Sequence, residues 1–191
     1  MKKLQAWLAT ILLVAGLGLV APSTATAAPS TTTAVPSAAP FCGITWGSLP
    51  KTSSTKYVPV VTNVRAGRHR CFDRLVIDLK GKRPGYDVRY GAVYTEGQGA
   101  RVHLRGTDMR ITIKAPAYNS KGQATYTPRN RSNIVNVSNF DTFRQVAWAG
   151  SFEGQTTIGL GVRARLPFRV FTLAGPGPNQ TMLVIDVARR W

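Results

Sequence analysis

The sequence predicts an all-β fold: a β-sandwich of two mainly antiparallel sheets with eight to ten strands and one disulfide. Three observations carry that expectation. Apolar residues recur at every second position in short runs, Gly, Pro, Asn and Asp punctuate the intervals, and long stretches with a 3.6-residue apolar period are missing. Period two sends alternate side chains to opposite faces of a strand, so each run can give one apolar set to a shared interior. Hydrophobic residues make up 43% of the 191, enough to fill such an interior.

The elements follow in chain order. Lys2 and Lys3 form a charged start, Leu4 to Val20 an apolar stretch and Ala25-Thr26-Ala27 a small-residue cleavage site, so residues 1–27 read as a signal peptide. No later apolar run has spanning length, and the mature protein is expected to be secreted, extracytoplasmic and without a membrane span. Residues 28–40, APSTTTAVPSAAP, lack charge, aromatics and periodicity and read as a linker. Residues 41–191 are expected to form one domain.

Within it, Val58, Val60 and Val64 give the first alternating set. Leu75, Ile77 and Leu79 give the next, followed by Val102 with Leu104, Ile111 with Ile113, and Ile158, Leu160 and Val162 between glycines. Leu183, Ile185 and Val187 close the series. Phe168 to Leu173 is apolar on both faces, the pattern of a central strand. Leu75-Val76-Ile77-Asp78-Leu79 is echoed by Leu183-Val184-Ile185-Asp186-Val187, so these two strands are expected to pair or to hold matching places in the two sheets. Cys42 and Cys71 are the two cysteines of an exported chain and are expected to be joined.

There are 25 Lys+Arg against 8 Asp+Glu, a formal charge of +17 that arises from scarcity of acids. The residues argue against several chemistries. His69 and His103 are the two histidines, in unlike settings, and no HExxH is present, so neither a metal nor a cofactor is expected. No G-x-S-x-G elbow marks a nucleophile, and nothing singles out a carboxylate pair for glycoside cleavage.

The cationic residues themselves suggest binding. Arg101, His103 and Arg105 alternate with Val102 and Leu104, and Arg110 and Lys114 flank Ile111 and Ile113. With Gly106-Thr107-Asp108 as a turn, the two runs are expected to form a hairpin whose outer face is cationic. Guanidinium forks suit carboxylates and phosphates, so Arg101, His103, Arg105, Arg110 and Lys114 are the candidate ligand-binding residues; a merely solvated sheet face is the other reading. Arg163, Arg165 and Arg169 around Pro167 form a second cationic group. Trp46, Trp148 and Trp191 either stack on sugars or pack in the fold. No aromatic residue interrupts Arg101 to Lys114, which argues against nucleic acid.

Several segments together resemble a known family. They are Phe41-Cys42-Gly43-Ile44-Thr45-Trp46-Gly47-Ser48, Cys71 to Leu79, Gly150-Ser151-Phe152-Glu153-Gly154, Gly159-Leu160-Gly161, Pro167-Phe168-Arg169-Val170 and the closing Leu183 to Val187. In this order they resemble the AMIN-like domain of exported bacterial proteins, over about Phe41 to Val187. That family is similar to the AMIN domain that accompanies N-acetylmuramoyl-L-alanine amidases and secretin components, a β-sandwich that binds peptidoglycan. The resemblance implies a non-catalytic cell-envelope module whose partner is peptidoglycan or an anionic cell-wall polymer attached to it. A general polyanion or nucleic-acid binder and a secreted hydrolase with an unrecognised site are the rival readings.

Overall fold

A computed structural model describes residues 40–191. The expected signal peptide and all but the last residue of the expected linker lie outside the described residues. No helix among the described residues is long and apolar enough to cross a membrane.

The chain forms a sandwich. One sheet has five strands: β1 (Lys51–Ser53), β4 (Tyr86–Tyr90), β7 (Thr107–Ile113), β8 (Phe143–Phe152) and β9 (Gln155–Val162), in the order β1-β4-β7-β9-β8. The other has four: β2 (Val60–Arg68), β3 (Phe72–Lys80), β10 (Phe168–Ala174) and β11 (Gln180–Ala188), in the order β10-β11-β3-β2. Every pairing is antiparallel. A small pair, β5 (Val93–Tyr94) and β6 (Arg101–Val102), stands apart from these nine.

The alternation seen in the sequence becomes the core. Ile111 faces Ile158 across β7 and β9, Ile77 faces Leu183 across β3 and β11, and all four are fully buried. The two echoed segments are neighbours: Val76 pairs with Val184, so the repeat places both of its aspartates, Asp78 and Asp186, on the outer face of the same sheet. Asp73, fully buried at the start of β3, ties the two sheets together by accepting hydrogen bonds from the backbone N–H of Thr142 at 2.6 Å and its hydroxyl at 2.9 Å.

Two expectations need correction. Val58 is 62% exposed and precedes β2, while Val61 and Val64 are the buried pair. A bulge between Val61 and Asn63 inserts one residue, which reverses the parity that strict alternation assumes. Phe168 to Leu173 is not central either: β10 is an edge strand. Of its outward apolar residues, Leu173 is exposed and Phe171 is covered by guanidinium groups rather than by another layer, with Arg169 4.9 Å and Arg74 5.5 Å from the ring centre. The backbone edge is closed at its first residue, where Phe168 donates to the Gly47 carbonyl at 2.8 Å.

Cys42 and Cys71 are joined, as expected from the sequence, with Cα atoms 6.3 Å apart. The bond holds the turn Phe41–Gly43 against the start of β3. Near the same end, the Tyr90 hydroxyl donates to the Leu166 carbonyl at 2.7 Å and accepts from its N–H at 3.0 Å. Burial pushes its pKa up to about 12. An unfolded tyrosine ionises near pH 10, so above that the folded chain holds a proton that the unfolded chain has lost, and stability falls as pH rises toward 12. Urea titrations between pH 9 and 12 are expected to show this loss, with a slope shallower by up to one proton in Tyr90→Phe.

Candidate functional site

β7 has a neighbour on each side, β4 and β9, so it offers no edge to the run from Arg101 to Arg105. The expected hairpin between the two basic runs is therefore not formed, and Thr107 and Asp108, assigned to its turn, already belong to β7. Instead the chain from Gly91 to Gly106 folds back as a flap over the outer face of the five-stranded sheet. Glu96 anchors it: its N–H donates to the Ala149 carbonyl at 2.7 Å, and its carboxylate accepts from the Thr157 hydroxyl and from Gln155 Nε2, the latter at 2.9 Å.

Glycines make the room. A Cβ on Gly159 would lie 3.0 Å from Leu104, and one on Gly161 would lie 2.2 Å from the Arg105 carbonyl oxygen. Val93, on the underside of the flap, is fully buried, and it and Leu104 both pack at Gly159, so the apolar half of this run faces the outside of a sheet. Gly161→Ala is expected to lift the flap. The clash is with backbone, for which overpacking costs about 1–3 kcal/mol, and faster hydrogen exchange at the Glu96 amide would report it.

The flap turns Arg101, His103 and Arg105 to solvent along one strip. Arg101 is ion-paired with Asp108, donates to the carbonyls of Val93 at 3.2 Å and Val102 at 3.3 Å, and lies 5.7 Å from the centre of the Tyr94 ring. Arg105 donates to Asn133 Oδ1 at 3.2 Å. The other two candidates stand elsewhere. Arg110 is half-buried on β7 opposite Arg89, whose charge is held by Asp87. Lys114 lies past the far end of β7, with Nζ 2.7 Å from Gln155 Oε1.

The strip continues into a cleft of about 400 Å³ between Arg105 and Arg144, lined also by Asn133, Asn136 and Ser138. Arg144 is fixed by the carbonyls of Phe143 at 3.0 Å and Phe140 at 3.2 Å. Sequence reasoning missed this residue. Its only local signal was the pair of Asn turns beside it, in which Asn130 and Asn136 side chains accept from the N–H groups of Ser132 and Ser138; the approach of Arg105 is tertiary.

The second cationic group is divided. Arg163 and Arg165 are exposed in the loop before β10, whereas Arg169 lies on the outer face of the four-stranded sheet. There Asp186, fully buried, binds Arg74 at 2.7 Å and Arg169 at 2.8 Å, and Trp46 and Phe72 lie within 5.5 Å of the Arg169 guanidinium. Trp148 is in the core and Trp191 is 71% exposed. Of the 23 lysines and arginines among the described residues, seven meet a carboxylate there, leaving sixteen without one. No group of three or more His, Cys, Asp or Glu residues suited to a metal ion occurs among the described residues.

A family model for the AMIN-like domain matches residues 59–189. The chain belongs to the AMIN-like domain family. No curated protein and no solved structure matches it. The match begins at the buried Pro59, immediately before β2, and ends just past β11, so both large sheets of this AMIN-like domain fall inside it except for β1. Cys71 lies within the matched segment and Cys42 ahead of it. AMIN-like domains are generally non-catalytic binding modules, typically extracytoplasmic, and associated with the cell envelope.

Proposed function

We propose that this AMIN-like domain is a secreted, non-catalytic module that associates with peptidoglycan or with an anionic polymer attached to it. The contact surface is the strip of Arg101, His103 and Arg105 together with Arg144; Arg110 and Lys114 contribute only to the surrounding positive field. The observation that carries the reading is the cleft between Arg105 and Arg144. Two guanidinium groups without an acid partner among the described residues flank side-chain amides and a hydroxyl, a set suited to a carboxylate or phosphate on a hydroxyl-rich chain.

Retention on purified cell walls tests it. Exposed-charge contacts weaken as the screening length shrinks from about 10 Å at 0.1 M salt, so retention is expected to fall steeply with salt. Arg105→Glu with Arg144→Glu is expected to lower it at least tenfold at 0.1 M. Retention indifferent to both salt and charge reversal would overturn the reading. Equal retention on single-stranded DNA at the same salt would favour general polyanion binding instead. A hydrolytic role has less support, since His103 is exposed and donates to no carboxylate among the described residues that could orient it as a base.

A further inference from the structure

At the opposite end of the sandwich the cations without a carboxylate partner among the described residues are mostly lysines. Ser53 pairs with Tyr86, Tyr86 with Ile113 and Ile113 with Thr156, which places the end of β1 at the same end of the sheet as the start of β9. Arg105 sits at the other end of β9, against Gly161. The eight residues of β9 separate the two ends by roughly 25 Å at about 3.3 Å per residue.

Between this end of β1 and the end of β10 lies a cleft of about 590 Å³, lined by Ser53, Ser54, Thr55, Tyr57, Lys82 and Arg83. Lys82 and Arg83 are exposed, as is the adjacent Lys56, and none of the three meets a carboxylate among the described residues. Tyr57 gathers two of them: the Lys82 ammonium stands 4.6 Å and the Lys56 ammonium 5.8 Å from its ring centre. The negative face of the ring offsets part of the repulsion between the ammonium groups and holds them near one point. Ser53, Ser54 and Thr55 line the same cleft, the Thr55 hydroxyl accepting from the Tyr57 N–H at 3.2 Å.

We propose that this cleft is a second anion site, separate from the arginine strip, that takes a phosphate or carboxylate borne on a polyhydroxylated chain. Ammonium groups act as compact, rotatable point charges and so suit a small anion without demanding the planar fork geometry of guanidinium. The serine and threonine hydroxyls receive the neighbouring hydroxyls of the ligand. The occupant rests on the envelope reading above; the site rests on the cleft itself.

The test is a backbone-amide NMR titration of the purified protein with three probes: poly(glycerol phosphate), oligogalacturonate and neutral dextran. The amides of Ser54, Tyr57 and Leu173 are expected to shift with at least one polyanion and not with dextran, and the tighter of the two names the anion. Lys82→Glu with Arg83→Glu, both at exposed positions, is expected to weaken binding at these amides at least tenfold, while Arg105→Glu leaves their response within twofold. No shift with either polyanion, an equal shift with dextran, or shifts unmoved by the Lys82 and Arg83 reversals would overturn the proposal. Cleft shifts that persist while cell-wall retention ignores Arg105 and Arg144 would sink the strip reading and leave this one standing.

Discussion

Asp186→Asn is expected to destabilise the protein by about 3 kcal/mol, the low end of the cost of removing one partner from a buried ion pair. The carboxylate has no exposed surface and serves two guanidinium groups, Arg74 and Arg169, whose side chains are only 22% and 33% exposed. The substitution keeps the shape and replaces an acceptor with an amide that points donors at donors. In a domain of this size the loss corresponds to a fall in Tm of roughly 10 °C, measurable by calorimetry. The echoed strand supplies the control. Asp78 holds Arg65 through two bonds of similar length, but the arginine side chain is 50% exposed, so Asp78→Asn is expected to cost less than about 1 kcal/mol. Equal effects at the two sites would show that burial does not set the difference.

Replacing Cys42 and Cys71 together by serine is expected to cost about 3–4 kcal/mol, from the unfolded-chain entropy released by opening a loop of this length. The closed loop spans a sequence separation of 29. Without the bond, the segment from Phe41 to Gly47 keeps fewer ties to the sheet, chiefly the Trp46 ring near Phe72 and Arg169 and the Gly47 carbonyl on Phe168. A red shift of Trp46 fluorescence at denaturant concentrations below the main unfolding transition would report its early release. Because Asp186 positions Arg169 and Arg169 touches Trp46, the two substitutions share partners, and their costs are not expected to add.

The interior was legible because its side chains alternate without interruption. Leu75 to Leu79, Ile158 to Val162 and Leu183 to Val187 are each placed with the face that the sequence assigns them. Parity failed at Val58, where one inserted residue near Thr62 reversed it and no local cue announced the insertion. The flap was half legible. Val102 and Leu104 require an apolar contact, but periodicity cannot say whether that contact is the interior or the outside of a sheet. The deciding sign was the pair Gly159 and Gly161, whose missing side chains leave a trough that another strand's backbone can enter. Edge position of β10 was hidden for a related reason: an aromatic residue under guanidinium groups reads in a sequence like one under another layer.

The distribution of lysine has a practical outcome. Of the six lysines among the described residues, Lys56, Lys80, Lys82, Lys114 and Lys121 sit on the end where β9 starts, and Lys51 sits away from it. Reagents that attack lysine side chains therefore find most of their targets among the described residues on a single pole, while arginine, inert to them, dominates the other. A sensor chip or bead that couples through these lysines would hold the described domain mainly in one orientation, guanidinium end toward the solution.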